Sequence, residues 1–407
     1  MTEIAQKPRE PKLSALVGKI SPSKTMAMNA AAARMKAAGR DVISLSAGEL
    51  ASNTPASAKN AGLKAIEQNK TRYTLNTGTV ELREAICAKY RDELGLNYSS
   101  DQVIVSNGAK QVIYNLLLAL CGPGDEVIVF SPYWVSYPEQ IALTGATMVD
   151  VPTTIKDGFQ VSPERLLENM NVNTRMVIIN SPNNPTGAVY DEGTLREVAR
   201  ICAERNVWLL SDEIYEKIIF PPHTHFSPAQ ESAEAYQNTL IVNGFSKTYA
   251  MTGWRIGYAL GPTEVIKAAA KIQSHTTSNA CSIAQSAALG ALEGDNSEFF
   301  GSLIPELIGN RDLALEIIDQ TNLLSASVPL GAFYIMADVS ALFGKIVSGA
   351  ELKCAADVSK FILEELEVST TPGEAFGSPN CIRISYSADR KLIEKGMRRI
   401  QKGLNAL

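Results

Sequence analysis

The sequence has no concentration of positive charge. Its 407 residues include 38 Lys or Arg and 43 Asp or Glu, which gives a net charge of −5. The basic residues are scattered rather than striped, so nothing predicts a nucleic-acid-binding surface. Apolar runs are also short, as in the segment 116–121 (Leu-Leu-Leu-Ala-Leu-Cys), whereas a membrane-spanning helix needs about 20 residues. We therefore expect neither nucleic acid nor a membrane as a partner.

Metal-ligating side chains are scarce as well. The chain has three histidines, and His223 and His225 lie in a proline-flanked loop without cysteines or paired carboxylates nearby in the sequence, so no metal site is expected. The six cysteines are widely spread and form no C-x-x-C pair, which indicates small buried side chains in a reducing compartment. Because the N-terminus shows no apolar signal segment, we expect a cytoplasmic protein.

Several catalytic signatures are missing too. There is no G-x-G-x-x-G, no Walker loop and no G-x-S-x-G, which removes the usual indications of dinucleotide-binding, P-loop and α/β-hydrolase chemistry. The segment 21–24 fits the S-x-x-K pattern of serine acylases, but the S-D-N and K-T-G partners are lacking. We interpret that match as chance.

What the sequence does contain is a recurring unit of a short β-branched run, a turn and a longer amphipathic stretch. Nearly continuous apolar strands between helices predict a mostly parallel sheet covered on both faces. In such sheets ligands bind at the carboxyl ends of the strands. The polar residues expected at those ends are Asn107, Ser131, Asn180, Asp212 and Lys247.

The C-terminal third has a different pattern. Strand-like runs at 331–338 and 381–386 alternate with helical stretches at 357–366 and 390–404, which predicts a smaller α+β lobe. An alanine-rich helix from about Thr25 to Ala38 is expected to pack with it. The predicted division is a flexible arm at 1–20, a small domain made of 21–49 with 301–407, and a large cofactor-binding domain at 50–300.

Lys247 lies among small residues after the strand-like run 240–243. A lysine in a partly desolvated pocket can lose its proton, attack a carbonyl and form a Schiff base. Arg255 follows eight residues later, and an arginine can clamp a phosphate with paired donors. Together they point to a lysine-bound aldehyde cofactor that carries a phosphate. The alternative is a surface loop with an ordinary lysine, and only further motifs decide between the two.

Asp212 closes a buried strand in the sequence Ser-Asp-Glu-Ile-Tyr. A buried carboxylate needs a cationic partner, and a protonated pyridine nitrogen would serve while keeping the ring an electron sink. Asp212 can also cap a helix, and the two roles are compatible. Tyr215 follows at a spacing from which its hydroxyl could reach a phenolic oxygen of the ring. Upstream, the segment 180–187 has two prolines and a glycine that fix a rigid turn and present amide side chains.

In this order, the N-P-T-G of 184–187, the D-x-x-Y of 212–215 and the lysine segment 244–257 resemble the class I aminotransferases, which use pyridoxal 5′-phosphate. The resemblance is to the bacterial aspartate aminotransferase branch in particular and runs from about Ser21 to the C-terminus. It implies fold type I, with a mostly parallel seven-stranded sheet sandwiched by helices and a smaller α+β domain. It also implies a homodimer with shared active sites.

The resemblance further implies roles for individual residues. Lys247 would carry the cofactor as a Schiff base and move the substrate proton, with Asp212 on the ring nitrogen and Asn184 and Tyr215 on the ring oxygen. The other implied cofactor-binding residues are Trp134 on the ring face, Ser246, Arg255 and the amides of Gly108, Ala109 and Lys110 at the phosphate, and Tyr73 reaching the partner subunit's phosphate.

Substrate recognition is implied in the same way. Arg383 would bind the α-carboxylate, Lys110 with Thr25 the distal carboxylate, and Gly48 would close over the substrate, with Trp134 and Asn184 also in contact. These residues favour L-aspartate and 2-oxoglutarate in a ping-pong transamination. An aromatic, prephenate or other-specificity transaminase, or a β-lyase on the same scaffold, would keep the same cofactor residues.

One difference from the family pattern bears on the choice of substrate. The family usually has G-E-P-D-F-D-T-P where this chain has Leu50-Ala51-Ser52-Asn53 after Gly48-Glu49, so the substrate entrance differs while the cofactor motifs are intact.

The alternative from another functional class is a non-catalytic regulator that senses the cofactor. It would need a DNA-binding module, and the arm before Ser21 has no room for one.

Overall fold

The computed structural model describes residues 12–21 and 24–407, without the side chains of residues 24–27 and 29. The helices in this part of the chain are α1 (Lys24–Ala37), α2 (Ala56–Glu67), α3 (Val80–Leu94), α4 (Ala109–Leu120), α5 (Ser136–Thr144), α6 (Pro163–Asn169), α7 (Glu192–Glu204), α8 (Ala233–Asn238), α9 (Thr263–Thr276), α10 (Ser282–Glu293), α11 (Ser297–Asp319), α12 (Ala355–Glu364) and α13 (Arg390–Leu404).

The strands in the same part of the chain alternate with these helices. They are β1 (Ile43–Ser44), β2 (Val103–Ser106), β3 (Glu126–Ser131), β4 (Thr147–Pro152), β5 (Thr174–Asn180), β6 (Trp208–Asp212), β7 (Thr239–Gly244), β8 (Gly257–Leu260), β9 (Ser325–Ala326), β10 (Tyr334–Asp338), β11 (Ile346–Val347), β12 (Ala350–Glu351), β13 (Val368–Ser369), β14 (Thr371–Pro372) and β15 (Cys381–Ser385).

The central sheet has seven strands in the order β2-β8-β7-β6-β5-β3-β4. Only β8 runs against its neighbours in this sheet, so the predicted mostly parallel seven-stranded sheet is confirmed. Strands β2, β5, β6, β7 and β8 are buried along almost their whole length, because packed side chains cover both faces. The parallel strands therefore end at one common edge of the sheet.

A second sheet is antiparallel and has the order β14-β15-β10-β9. Its core also takes in Ile214 and Tyr215, which follow β6 of the central sheet. In addition, β1 pairs in parallel with β13, which ties the early part of the chain to its C-terminal third. The loop after β6 is thus held between the two sheets, and the residues on it face the gap between them.

The predicted elements are close to the observed ones. The alanine-rich helix predicted at about 25–38 is α1, and it packs through Ala32 against Val42 and Leu363. The helix predicted at 357–366 begins and ends two residues earlier, and the strand predicted at 331–338 begins at Tyr334. The small hairpin β11–β12 was not predicted. None of the described helices is both long and apolar enough to cross a membrane.

Candidate active site

A cavity of about 1430 Å³ opens where the carboxyl edge of the central sheet meets the second sheet. Most of the residues predicted from the sequence to form the site line it, although they come from distant parts of the chain. Those residues are Gly48, Ala109, Lys110, Trp134, Asn184, Asp212, Tyr215, Ser246, Lys247, Arg255 and Arg383.

Lys247 follows β7 and is half-buried. Its ammonium donates a hydrogen bond to the carbonyl oxygen of Gly48, with 2.5 Å between Nζ and O. Burial lowers the pKa of Lys247 to about 8, and the positive charge of Arg383 adds to the effect while Glu49 opposes it. A lysine with such a pKa has a substantial unprotonated fraction near neutrality, so its amine can act as a nucleophile and as a base.

Asp212 ends β6 and is buried. The Tyr137 hydroxyl donates to its Oδ2 at 2.7 Å, and the Ile214 amide donates to Oδ1 at 3.2 Å. Burial raises the pKa of Asp212 to about 6, although both hydrogen bonds act in the opposite direction. Among the described residues no lysine, arginine or histidine forms an ion pair with this carboxylate. Asp212 can therefore accept a cationic group that enters the cavity.

The start of α4 forms an anion site with Arg255. The amides of Ala109 and Lys110 have no acceptor within the described residues, as expected of the first turn of a helix. Gly108 has φ +89°, and a Cβ there would lie 2.6 Å from Nη2 of Arg255, so only glycine allows this approach. Within the described residues, Arg255 donates only to the carbonyl oxygens of Thr252 and Asn107, at 3.1 and 3.4 Å. Free amides and an arginine without an acid partner fit a phosphate.

Arg383 lies on β15 and is 4% exposed. Nη1 donates to Oδ1 of Asn184 at 2.9 Å and Nη2 to the carbonyl oxygen of Ser46 at 3.0 Å, while buried Nε has no acceptor. No Asp or Glu pairs with it within residues 12–21 and 24–407. The flanking residues Ile382 and Ile384 belong to the hydrophobic core, so Arg383 faces the cavity. A buried guanidinium without a counter-charge is costly, which makes this a site for a carboxylate.

Lys110 and Trp134 lie side by side on another wall of the cavity. Nζ of Lys110 is 5.0 Å from the centroid of the Trp134 ring, which itself packs edge-on against Tyr137. Burial lowers the pKa of Lys110, and the nearby charge of Arg255 adds to this. Lys110 therefore places a further cation in the cavity, apart from Arg255 and Arg383.

Three predicted residues remain, Tyr73, Thr25 and Gly108. Tyr73 is 90% exposed and does not line it. Thr25 lies on α1, and its side chain is outside the described part of the chain. Gly108 contributes through its close approach to Arg255 rather than by lining the cavity.

Sequence reasoning missed two tyrosines in the site. Tyr137 bonds Asp212, and Tyr334 lies against Arg383 and shares a hydrogen bond with Tyr215, with 3.1 Å between the two hydroxyl oxygens. Tyr137 lies three residues after Trp134 and Tyr334 lies in the strand-like run 331–338, but no local pattern distinguishes them from tyrosines of the core.

The sequence interpretation of His225 needs a correction. Paired carboxylates do lie near it, because Glu213 and Glu216 approach it in the fold to form a cluster within 4.8 Å. His225 Nε2 is 2.9 Å from Glu213, and Lys89 Nζ is 2.6 Å from Glu216. The sequence missed this because the carboxylates follow β6 while the histidine lies on a later loop. Lys89 places a positive charge beside this cluster, and although burial acts in the opposite direction, the charge of Glu213 raises the pKa of His225.

Comparison with known proteins gives a consistent result. The chain matches the family described as aminotransferase class I and II over residues 40–400. It is 44% identical over 402 residues to an aspartate aminotransferase of Pinus pinaster, a match that covers 96% of this chain and 80% of that protein. It is 42% identical to an aspartate/prephenate aminotransferase of Cereibacter sphaeroides, covering 96% and 98%. A solved structure of aspartate aminotransferase from Thermus thermophilus with maleate superposes with a TM-score of 0.91 at 39% identity, covering 97% and 100%.

Proposed function

Since the chain belongs to the class I and II aminotransferases, and is thus a pyridoxal 5′-phosphate-dependent transaminase of fold type I, we propose that it transfers the amino group of L-aspartate to 2-oxoglutarate. The observation that carries this proposal is the buried guanidinium of Arg383, which has no acid partner among the described residues. It faces the same cavity as Lys247, whose pKa is lowered to about 8.

The residues of the cavity fit the cofactor. The free amides at the start of α4 and Arg255 suit its phosphate, and the buried carboxylate of Asp212 suits a protonated ring nitrogen. Asn184 and Tyr215 are the proposed partners of the ring oxygen. The remaining proposed contacts are Trp134 on the ring face and Ser246, Gly108, Ala109 and Lys110 around the phosphate.

When bound, the cofactor supplies an electron sink for the charge left at the substrate α-carbon. Lys247 would hold the cofactor through Nζ, and as a free amine Nζ would be the base that takes the proton from the substrate α-carbon. Its lowered pKa gives that amine a substantial unprotonated fraction near neutrality. Asp212 keeps the ring nitrogen protonated, and Arg383 fixes the substrate by its α-carboxylate. The same residues serve the 2-oxo acid in the second half of a ping-pong cycle.

The choice of a dicarboxylic substrate is supported by Lys110. Its ammonium lies on the cavity wall over Trp134 and forms no ion pair with an acid of the described chain. We propose that it binds the distal carboxylate, assisted by Thr25, while Gly48 closes over the substrate. Prephenate is a second candidate acceptor, because the Cereibacter sphaeroides relative is named for both activities and prephenate also carries two carboxylates.

Lys110→Ala tests this assignment. We expect kcat/KM for L-aspartate to fall by about 10- to 100-fold, since a charge-assisted contact to the substrate is lost, whereas L-alanine should lose less than about threefold. Steady-state kinetics with a panel of amino donors measures both. Lys110→Arg, which keeps the charge, should recover part of the aspartate activity. If kcat/KM fell equally for aspartate and alanine, Lys110 would not be the residue that binds the distal carboxylate.

We also propose a homodimer in which Tyr73 completes the partner's phosphate site. Tyr73 is 90% exposed, and the large apolar side chains of Leu63, Ile66, Leu75 and Val80 near it in the sequence are exposed too, at 41–60%. Exposed apolar side chains of this kind are typical of surfaces that pack against another subunit.

Mixed dimers can test the shared site. When Tyr73→Phe and Lys247→Ala chains are unfolded and refolded together, half of the dimers are hybrids, and one of the two sites in each is intact. About a quarter of the wild-type activity is therefore expected beyond what the separate variants give. The proposal would be contradicted if the refolded mixture had only the summed activity of the two separate variants, or if the wild-type protein sedimented as a monomer in sedimentation velocity.

The proposed division into an arm at 1–20, a small domain of 21–49 with 301–407 and a large domain at 50–300 is supported by the two separate sheets and by the β1–β13 pairing. A cytoplasmic location is supported by the six free cysteines. Proteolysis that releases a stable fragment near residue 300, and fractionation of the source cells, would check these two proposals.

A further inference from the structure

Tyr334 lies between the two groups that the proposed mechanism uses for the substrate and for the cofactor ring. It begins β10 and is 1% exposed. The centroid of its ring is 4.4 Å from the guanidinium carbon of Arg383, and its hydroxyl oxygen is 3.1 Å from that of Tyr215. Nothing in the motifs of the chain marks this residue.

We propose that Tyr334 is a positioning residue with two separable functions: its ring fixes the plane of Arg383, and its hydroxyl strengthens the hydrogen bond that Tyr215 makes to the cofactor ring. The inference rests on the proposed roles of Arg383 and Tyr215. The proposal adds one residue that acts both on the substrate carboxylate, through Arg383, and on the cofactor ring, through Tyr215.

The ring function follows from how Arg383 is held. Tyr334 lies 4.4 Å and Phe376 5.0 Å from its guanidinium carbon, and neutral oxygens of Asn184 and Ser46 accept from Nη1 and Nη2. Aromatic rings attract a desolvated cation without neutralising it. The aromatic contacts therefore orient Arg383 and leave its charge available for a carboxylate.

The hydroxyl function follows from the Tyr215–Tyr334 hydrogen bond. If Tyr215 donates to the ring oxygen, its own oxygen is free to accept from Tyr334, and a hydroxyl that accepts a hydrogen bond becomes a stronger donor. A stronger donor stabilises the negative charge on the ring oxygen to a greater extent. With the cofactor bound, the nitrogen of Lys247 would then hold its proton less tightly, and the midpoint of its titration would fall.

Tyr334→Phe removes the hydroxyl and keeps the ring. We expect the pH midpoint of the absorbance change of the holoenzyme to rise by about half a unit, since one hydrogen bond in a chain is weakened. The dissociation constant of maleate, a non-reacting dicarboxylate, should change by less than about twofold because Arg383 keeps its aromatic neighbour. Tyr215→Phe should raise the midpoint more, and adding Tyr334→Phe to it should produce no further rise.

Tyr334→Leu removes the ring as well. Here maleate should bind about 5- to 20-fold more weakly, because Arg383 loses a cation–π contact and its fixed plane. Tyr386→Phe is the matched control: Tyr386 is a buried tyrosine directly after β15, its hydroxyl donates to a backbone carbonyl, and it does not line the cavity. It should leave both the midpoint and the maleate affinity unchanged.

Two results would overturn the proposal while leaving the proposed function intact. One is a Tyr334→Phe shift that persists in full in the Tyr215→Phe background, which would mean that the hydroxyl does not act through Tyr215. The other is equal maleate affinity of the Phe and Leu variants. Failure of the wild-type protein to bind the cofactor or to transaminate aspartate would instead overturn the proposed function.

Discussion

Lys247→Ala is expected to lower kcat by at least about 10⁴-fold, because the variant loses both the covalent attachment and the base for the α-proton. It should also lose the absorbance that the lysine-bound cofactor gives to the yellow wild-type protein. The cavity should still bind pyridoxal 5′-phosphate, since the phosphate contacts of Arg255 and the start of α4 are untouched. Absorbance spectra and dialysis against free cofactor separate loss of attachment from loss of binding.

The lowered pKa of Lys247 gives this prediction a pH dependence. Only the unprotonated amine attacks the aldehyde, and burial lowers the pKa of Lys247 to about 8. After apoenzyme is mixed with the cofactor, the rate of attachment should therefore rise about tenfold per pH unit below this value and level off above it. A stopped-flow series from about pH 6 to about pH 9.5 would cover the change, whereas an ordinary lysine would show no plateau below about pH 10.

The control for both experiments is Lys267→Ala. That lysine is 65% exposed and, as far as the structure describes the chain, forms its one ion pair with Glu264 on the surface of α9, so attachment and turnover should match the wild type. A colourless wild-type protein after reconstitution with the cofactor would contradict the central assignment. So would a Lys247→Ala variant that keeps the wild-type absorbance.

The sequence predicted the central sheet well because its strands are continuously apolar and the loops at their ends carry the polar residues. Asp212 ends β6 and Lys247 follows β7, and neighbouring parallel strands necessarily end at the same edge,. Their meeting in one cavity therefore follows from topology alone. The role of Gly108 also has a local signal, since a glycine at the start of a helix allows a close approach to an anion site.

Contacts made across the fold could not be predicted in this way. The Tyr334–Arg383 contact depends on the register of β10 against β15, in which Met336 pairs with Arg383. The Tyr137–Asp212 hydrogen bond joins α5 to β6 across 75 residues, and no local pattern encodes either distance. The same holds for His225. The carboxylates beside it come earlier in the chain, and the sequence does not specify the path of the turn that brings them next to the histidine. Such contacts are set by packing of whole elements rather than by propensity.

Arg383→Lys is expected to lower kcat/KM for L-aspartate by about 10²- to 10³-fold, although it keeps the positive charge. In the guanidinium, Nη1 donates to Asn184, Nη2 donates to Ser46, and Nε has no acceptor. A single ammonium group cannot reproduce this planar arrangement of donors. The substrate carboxylate is bound before and during the reaction alike, so most of the loss should appear in KM and in the dissociation constant of maleate.

Arg311→Lys is the matched control for this variant. Arg311 also packs its guanidinium against an aromatic ring, that of Phe220 at 5.1 Å, and donates to the carbonyl oxygen of Pro329, but it does not line the cavity. Both substitutions remove a largely buried guanidinium, so both should disturb folding to a similar extent, which thermal unfolding of the apoproteins would measure. Only Arg383→Lys should weaken maleate binding. If the two variants lost affinity equally, or if Arg383→Lys changed kcat and left KM unaltered, Arg383 would not be the carboxylate-binding residue. The unpaired charge buried in this cavity would then need a different ligand.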